Sequence, residues 1–83
     1  MKNRKAFIVG LKTTKLLSRE IKFLKKYKPW GVILFSRNIK NVDQCKILTE
    51  SIRKIFNDKK YPILIDEEGG RVSRLDNIIN TSM

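Results

Sequence analysis

Pro62-Ile63-Leu64-Ile65-Asp66-Glu67-Glu68-Gly69-Gly70-Arg71-Val72-Ser73-Arg74 is the stretch that decides how this chain is read. A short apolar run breaks off into three carboxylates, two glycines and two arginines. A continuous apolar run of this length is the signature of a strand buried on both faces. Pro62 stands at its first position, where a missing ladder donor matters least. Carboxylates placed directly after a buried strand are costly unless they meet cations, hydrogen-bond donors or water. Arg71 and Arg74 can answer them in bidentate fashion, and Gly69-Gly70 supplies a sharp turn and lets a ligand approach the main chain. In parallel α/β folds ligands bind beyond the C-terminal ends of the strands, which is where Asp66 is expected.

Two more runs of the same kind lie upstream, Ala6 to Leu11 and Gly31 to Phe35. Between them, Ser18 offers an N-cap oxygen and Glu20 favours the positive end of a helix dipole. Leu17, Ile21, Leu24 and Tyr27 form an apolar stripe, with Lys22, Lys25 and Lys26 facing away. Pro29 ends that helix, because the residue before a proline is pushed out of the helical region. After the second run, Asn41 can cap a helix running from Val42 to Phe56, with Gln44 reaching back as in a capping box. Its stripe is Cys45, Leu48, Ile52 and Ile55, with Ile47 beside it. The order β-α-β-α-β predicts parallel βαβ units with right-handed crossovers. A doubly wound sheet and a closed barrel both remain open. Three strands suffice for neither, since a (β/α)8 barrel takes at least about 200 residues.

The chain has 83 residues, 41% of them hydrophobic, and reads as a single domain or a part of one. A net charge of +11 invites a nucleic-acid reading. The lysines, however, are scattered over the N-terminus, both helical segments and Lys59-Lys60, so a solvated basic surface is expected and no specific nucleic acid. No stretch approaches the roughly 18 apolar residues of a membrane span. The run behind the basic N-terminus is too short for a secretory signal, so no membrane partner is expected. The single cysteine, Cys45, excludes an internal disulfide and fits a reducing cytoplasm. Without histidine a structural zinc site is not expected.

Other residues carry weaker signals. Ser36-Arg37-Asn38 also leaves the end of a strand and could border the same site, although a role in loop structure suits it better. Cys45 lies on an apolar stripe and reads as a buried thiol rather than a nucleophile. Trp30, just before a strand, reads as packing. Gly69-Gly70 makes no phosphate loop, because no Gly-x-x-x-x-Gly-Lys pattern surrounds it. Adjacent carboxylates could hold magnesium, but no ligand at a second spacing supports a metal.

Two blocks go beyond general α/β reading. Gly31 to Asn38, followed by Gln44, Leu48 and Ile52-Arg53, and then Ile65 to Leu75, resemble the N-terminal part of glycoside hydrolase family 3. Within it, the resemblance is to the bacterial β-N-acetylhexosaminidases of peptidoglycan recycling. It runs from about Ala6 to Leu75. It implies that residues 1–83 are the N-terminal portion of a (β/α)8 TIM-type barrel, incomplete in this chain and holding its first three β/α units. The implied activity is removal of terminal N-acetylglucosamine from cell-wall fragments with retention of configuration. The implied partner is an N-acetylglucosamine-containing glycan, and no cofactor is implied. By the same resemblance Asp66 binds hydroxyls of the sugar being cleaved and Arg74 lines the sugar site. Glu68, Gly69, Gly70 and Arg71 would support the loop. Glu67 stands where relatives commonly have glutamine.

A retaining glycosidase brackets the sugar with a nucleophile and a proton donor about 5 Å apart. In the resembled family the nucleophilic aspartate, the assisting histidine and a Lys-His pair lie beyond the equivalent of Met83. This chain has no histidine, and Asp66 and Glu68, as neighbours, cannot bracket both faces of a ring. No catalytic residue is therefore assigned, and the 83 residues are expected to be inactive alone. Their open sheet edge is expected to make them poorly soluble or molten. The alternatives are a non-enzymatic basic α/β module that binds RNA or an acidic partner, and an open-sheet subunit completed by another chain.

Overall fold

The computed structural model describes residues 5–67 and 70–75. Its elements are β1 (Lys5–Gly10), α1 (Ser18–Tyr27), β2 (Pro29–Leu34), a 3-10 turn (Ser36–Asn38), α2 (Val42–Phe56), β3 (Ile63–Glu67) and β4 (Arg71–Arg74). They form one four-stranded sheet in the order β1-β2-β3-β4. The first three strands are parallel, as the apolar runs predict. The fourth differs from expectation. The segment read as a loop and as the start of a third β/α unit folds back as a strand antiparallel to β3. Asp66 and Glu67, read as first off the strand, are its last two residues. The reversal is made at Gly70, whose φ of 133° is a conformation that side chains oppose. It also gives β3 a partner on the edge expected to be open.

Both helices pack on one face of this sheet. Val32, Leu34 and Ile63 are fully buried there, against Leu24 of α1 and Leu48 and Ile52 of α2. Burying residues of this size contributes roughly 1.5–3 kcal/mol each. The helical stripes are narrower than the sequence suggests: Leu24 is the one fully buried residue of α1, and Ile47 of α2 is exposed. Tyr27 instead packs against Phe23, with ring centroids 4.8 Å apart. Cys45 is buried, as its place on the stripe implies. Trp30, expected before the strand, lies within β2 and is partly exposed.

Helix ends follow local chemistry. Leu17, not Ser18, is the N-cap residue of α1. The Glu20 carboxylate, at the third helical position, accepts the Leu17 N–H at 2.9 Å, the reciprocal half of a capping box. Asn41 caps α2 as expected, accepting the Gln44 N–H at 2.8 Å. Lys28, before Pro29, ends α1 with φ 47°. Tyr61, fully buried, stacks on Phe56 and donates to the Pro29 carbonyl at 2.8 Å, joining the starts of β2 and β3. Gly31 allows the same approach, because a side chain there would stand 3.0 Å from the Pro62 oxygen.

Candidate functional site

Side chains alternate across a strand, so register decides which residues share a face. Ile33 pairs with Leu64, and Asp66 lies two residues beyond Leu64. Asp66 is therefore on the face away from the helices, at the C-terminal end of the parallel strands. Across the hairpin, Asp66 pairs with Val72 and Leu64 with Arg74. That puts Asp66 and Arg74 on the same face as diagonal neighbours, about 7–8 Å apart by the geometry of such positions. The structure thus brings together the two residues expected to contact a ligand. Glu67 faces Arg71 directly on the other side, a cross-strand pair of opposite charge. Glu68 and Gly69, expected as loop support, lie outside the described residues. Gly70 and Arg71 make the turn and the first residue of β4.

The described bond of Asp66 runs to the turn and not to an arginine: its Oδ1 accepts the Gly70 N–H at 3.0 Å. A half-buried carboxylate held at one oxygen, beside an exposed arginine, can accept from hydroxyls while the arginine donates. Among the described residues no group of three or more His, Cys, Asp or Glu is placed to hold a metal. No described helix is long and apolar enough to cross a membrane.

The segment between β1 and α1 reaches the same edge of the sheet and is held from several sides. Asn38, fully buried, donates from Nδ2 to the carbonyls of Leu11 at 3.1 Å and Thr13 at 2.7 Å. Its Oδ1 accepts the Phe35 N–H at 2.8 Å. Arg37 donates to the Leu11 carbonyl through Nε and Nη2 at 3.2 and 3.0 Å, and stacks over the Phe35 ring. Gln44 donates to the Thr14 carbonyl at 2.6 Å, and Glu20 Oε2 accepts the Lys12 N–H at 2.9 Å. The Ser36-Arg37-Asn38 turn, expected mainly as loop structure, is a tether between two loops.

No protein-family model matches the chain. A β-hexosaminidase of Alkalilimnicola ehrlichii is 42% identical over 69 residues, which are 81% of this chain and 19% of that protein. One from Histophilus somni is 39% identical over 67 residues, again 81% and 19%. The crystal structure of NagZ from Neisseria gonorrhoeae in complex with N-trifluoroacetyl-D-glucosamine matches with a TM-score of 0.70 at 33% identity, covering 87% of this chain and 21% of that one. Over most of its length the chain is similar to β-hexosaminidases. It spans about a fifth of the length of these relatives.

Two residues of the fold escape sequence reasoning. Gln44 was read as a capping-box partner of Asn41. It does accept a backbone N–H, that of Lys40 at 2.6 Å, but its amide nitrogen crosses to Thr14 and to the Asn38 carbonyl. Tyr61 carries no reading in the sequence analysis. Its signal was a tyrosine directly before a strand-opening proline, a place where a ring can be buried and its hydroxyl still find a carbonyl.

Proposed function

We propose that these residues are the N-terminal portion of a family 3 glycoside hydrolase, acting in the cytoplasm to remove terminal N-acetylglucosamine from peptidoglycan fragments. The observation that carries the proposal is the diagonal position of Asp66 and Arg74 on the helix-free face, at the C-terminal edge, in a chain similar to a NagZ complexed with N-trifluoroacetyl-D-glucosamine. In this reading the sheet is the opening of a (β/α)8 barrel and the helix-free face looks into it. An open groove of about 400 Å3 beside β1, between Val9, Phe23 and Leu24, suits the packing of further barrel elements. Asp66 accepts hydrogen bonds from two hydroxyls of the terminal sugar, and Arg74 donates to the same ring. The nucleophile and the proton donor come from the rest of the polypeptide, because Asp66 and its neighbours occupy one side of the sugar only.

The test uses the polypeptide that carries this segment together with the remainder of a hexosaminidase chain, and a chromogenic N-acetyl-β-glucosaminide. Charge-assisted hydrogen bonds contribute about 1.5–3 kcal/mol each. Asp66→Ala should therefore lower kcat/KM by at least about tenfold and up to several hundredfold. Asp66→Asn, which keeps the shape, should lose less. Residues 1–83 alone should release no sugar. Full activity in Asp66→Ala, or turnover by the 83 residues, would overturn the reading.

A further inference from the structure

The tether between the first two loops does more than the core requires. Lys12, Thr13, Thr14 and Lys15 contribute no side chain to the hydrophobic core, yet the carbonyls of Leu11, Thr13 and Thr14 are held by Asn38 of the 3-10 turn and Gln44 of α2. A surface loop of this kind is ordinarily left to water. Here its course is dictated by a fully buried amide whose two ends face opposite chemistry. Nδ2 meets two carbonyls and Oδ1 meets an N–H, so only a side chain that both donates and accepts fits. Gln44 repeats the pattern from α2, donating to Thr14 and Asn38 while accepting from Lys40. Arg37 and Glu20 close the remaining sides, at the Leu11 carbonyl and the Lys12 N–H.

What this rigidity serves follows from its place. The loop leaves β1 at the same sheet edge at which β3 delivers Asp66. Strand-to-helix loops at that edge form the walls of ligand sites in parallel α/β folds. We propose that Asn38, with Gln44 beside it, is a positioning residue that holds the loop from Leu11 to Lys15 as a fixed wall of the glycan site. This rests on the glycosidase reading above. Asn38 itself is buried behind the loop and touches no sugar; it acts by fixing where the loop stands. An ångström of misplacement in a site wall can cost up to about a hundredfold in binding and rate together.

The experiment compares wild type with Asn38→Asp and Gln44→Glu in the full polypeptide. Each variant keeps size and acceptor but turns a donor into a second acceptor facing carbonyls. Hydrogen exchange should speed up at the amides of Lys12 to Lys15 while those of β2 and β3 keep their protection. KM for the chromogenic N-acetyl-β-glucosaminide should rise about tenfold, with kcat within about twofold of wild type. A role in stability alone would lower the melting temperature and leave KM unchanged well below it. Gln44→Glu, at a half-buried position, keeps the test available if Asn38→Asp does not fold. Wild-type turnover with a loosened loop and unchanged KM would overturn the proposal by itself. A wild-type polypeptide without turnover would overturn the glycosidase reading, and the wall with it.

Discussion

The two faces of the sheet are built on different terms. On the helical face Val32, Leu34 and Ile63 have no exposed surface. On the other face Ile8 is 44% and Val72 51% exposed, and these apolar residues share it with Asp66 and Arg74. Alternation along the same strands delivers both outcomes, so composition alone does not separate them. The first face holds the segment together. The second leaves apolar surface uncovered within these residues, and under the proposed function it is the face that meets the sugar. A strand with two such faces gives the core only every other residue.

The contrast can be broken most directly by truncation. Leu34→Ala should destabilise the protein by about 2–5 kcal/mol in urea unfolding, because a closely packed site cannot collapse around the lost methyl groups. Ile8→Ala, on the open face, should cost well under half of that. Equal losses would mean that the open face is as well packed as the other.

A smaller effect sharpens the same point. Residues 1–83 alone should bind a hydrophobic dye and lack sharp near-ultraviolet dichroism, whereas the longer polypeptide should do neither. Cooperative unfolding of the isolated segment as a monomer would show that the open face needs no cover.

The smallest effect lies inside the helical face. Burial pushes the Cys45 thiol above its ordinary pKa. Below that ordinary value the thiol is neutral in both states and its contribution to stability is fully present. As pH rises past it, the unfolded chain loses a proton that the folded chain keeps, so stability falls. Urea unfolding between neutral pH and about pH 10 should show this extra loss, and Cys45→Ala should lack it. The same slope in wild type and variant would place the thiol in contact with water.

The parallel core was legible because its three strands and two helices declare themselves by apolar runs, stripes and Pro29. The candidate site was legible in part: Asp66 and Arg74 stand out as residues, but their common face depends on β4. That strand is four residues long, and its Val72-Ser73 alternation is too short to separate from loop. What sequence could not give was the partnership of Asn38 with Leu11 and Thr13. Contacts between residues some twenty-five positions apart leave no periodic trace, and an asparagine after a strand reads equally as turn, cap or tether.

The strand order carries a consequence for how the segment is made. Because β1, β2, β3 and β4 lie side by side in the order of the sequence, each strand from β2 onward finds its neighbour already synthesised. Translation proceeds at roughly 5–20 residues per second, far slower than a helix or hairpin forms. Each newly emerged strand can therefore dock on a finished one before the next appears, and the Asn38 tether can close on the first loop while the Asp66 strand is still inside the ribosome.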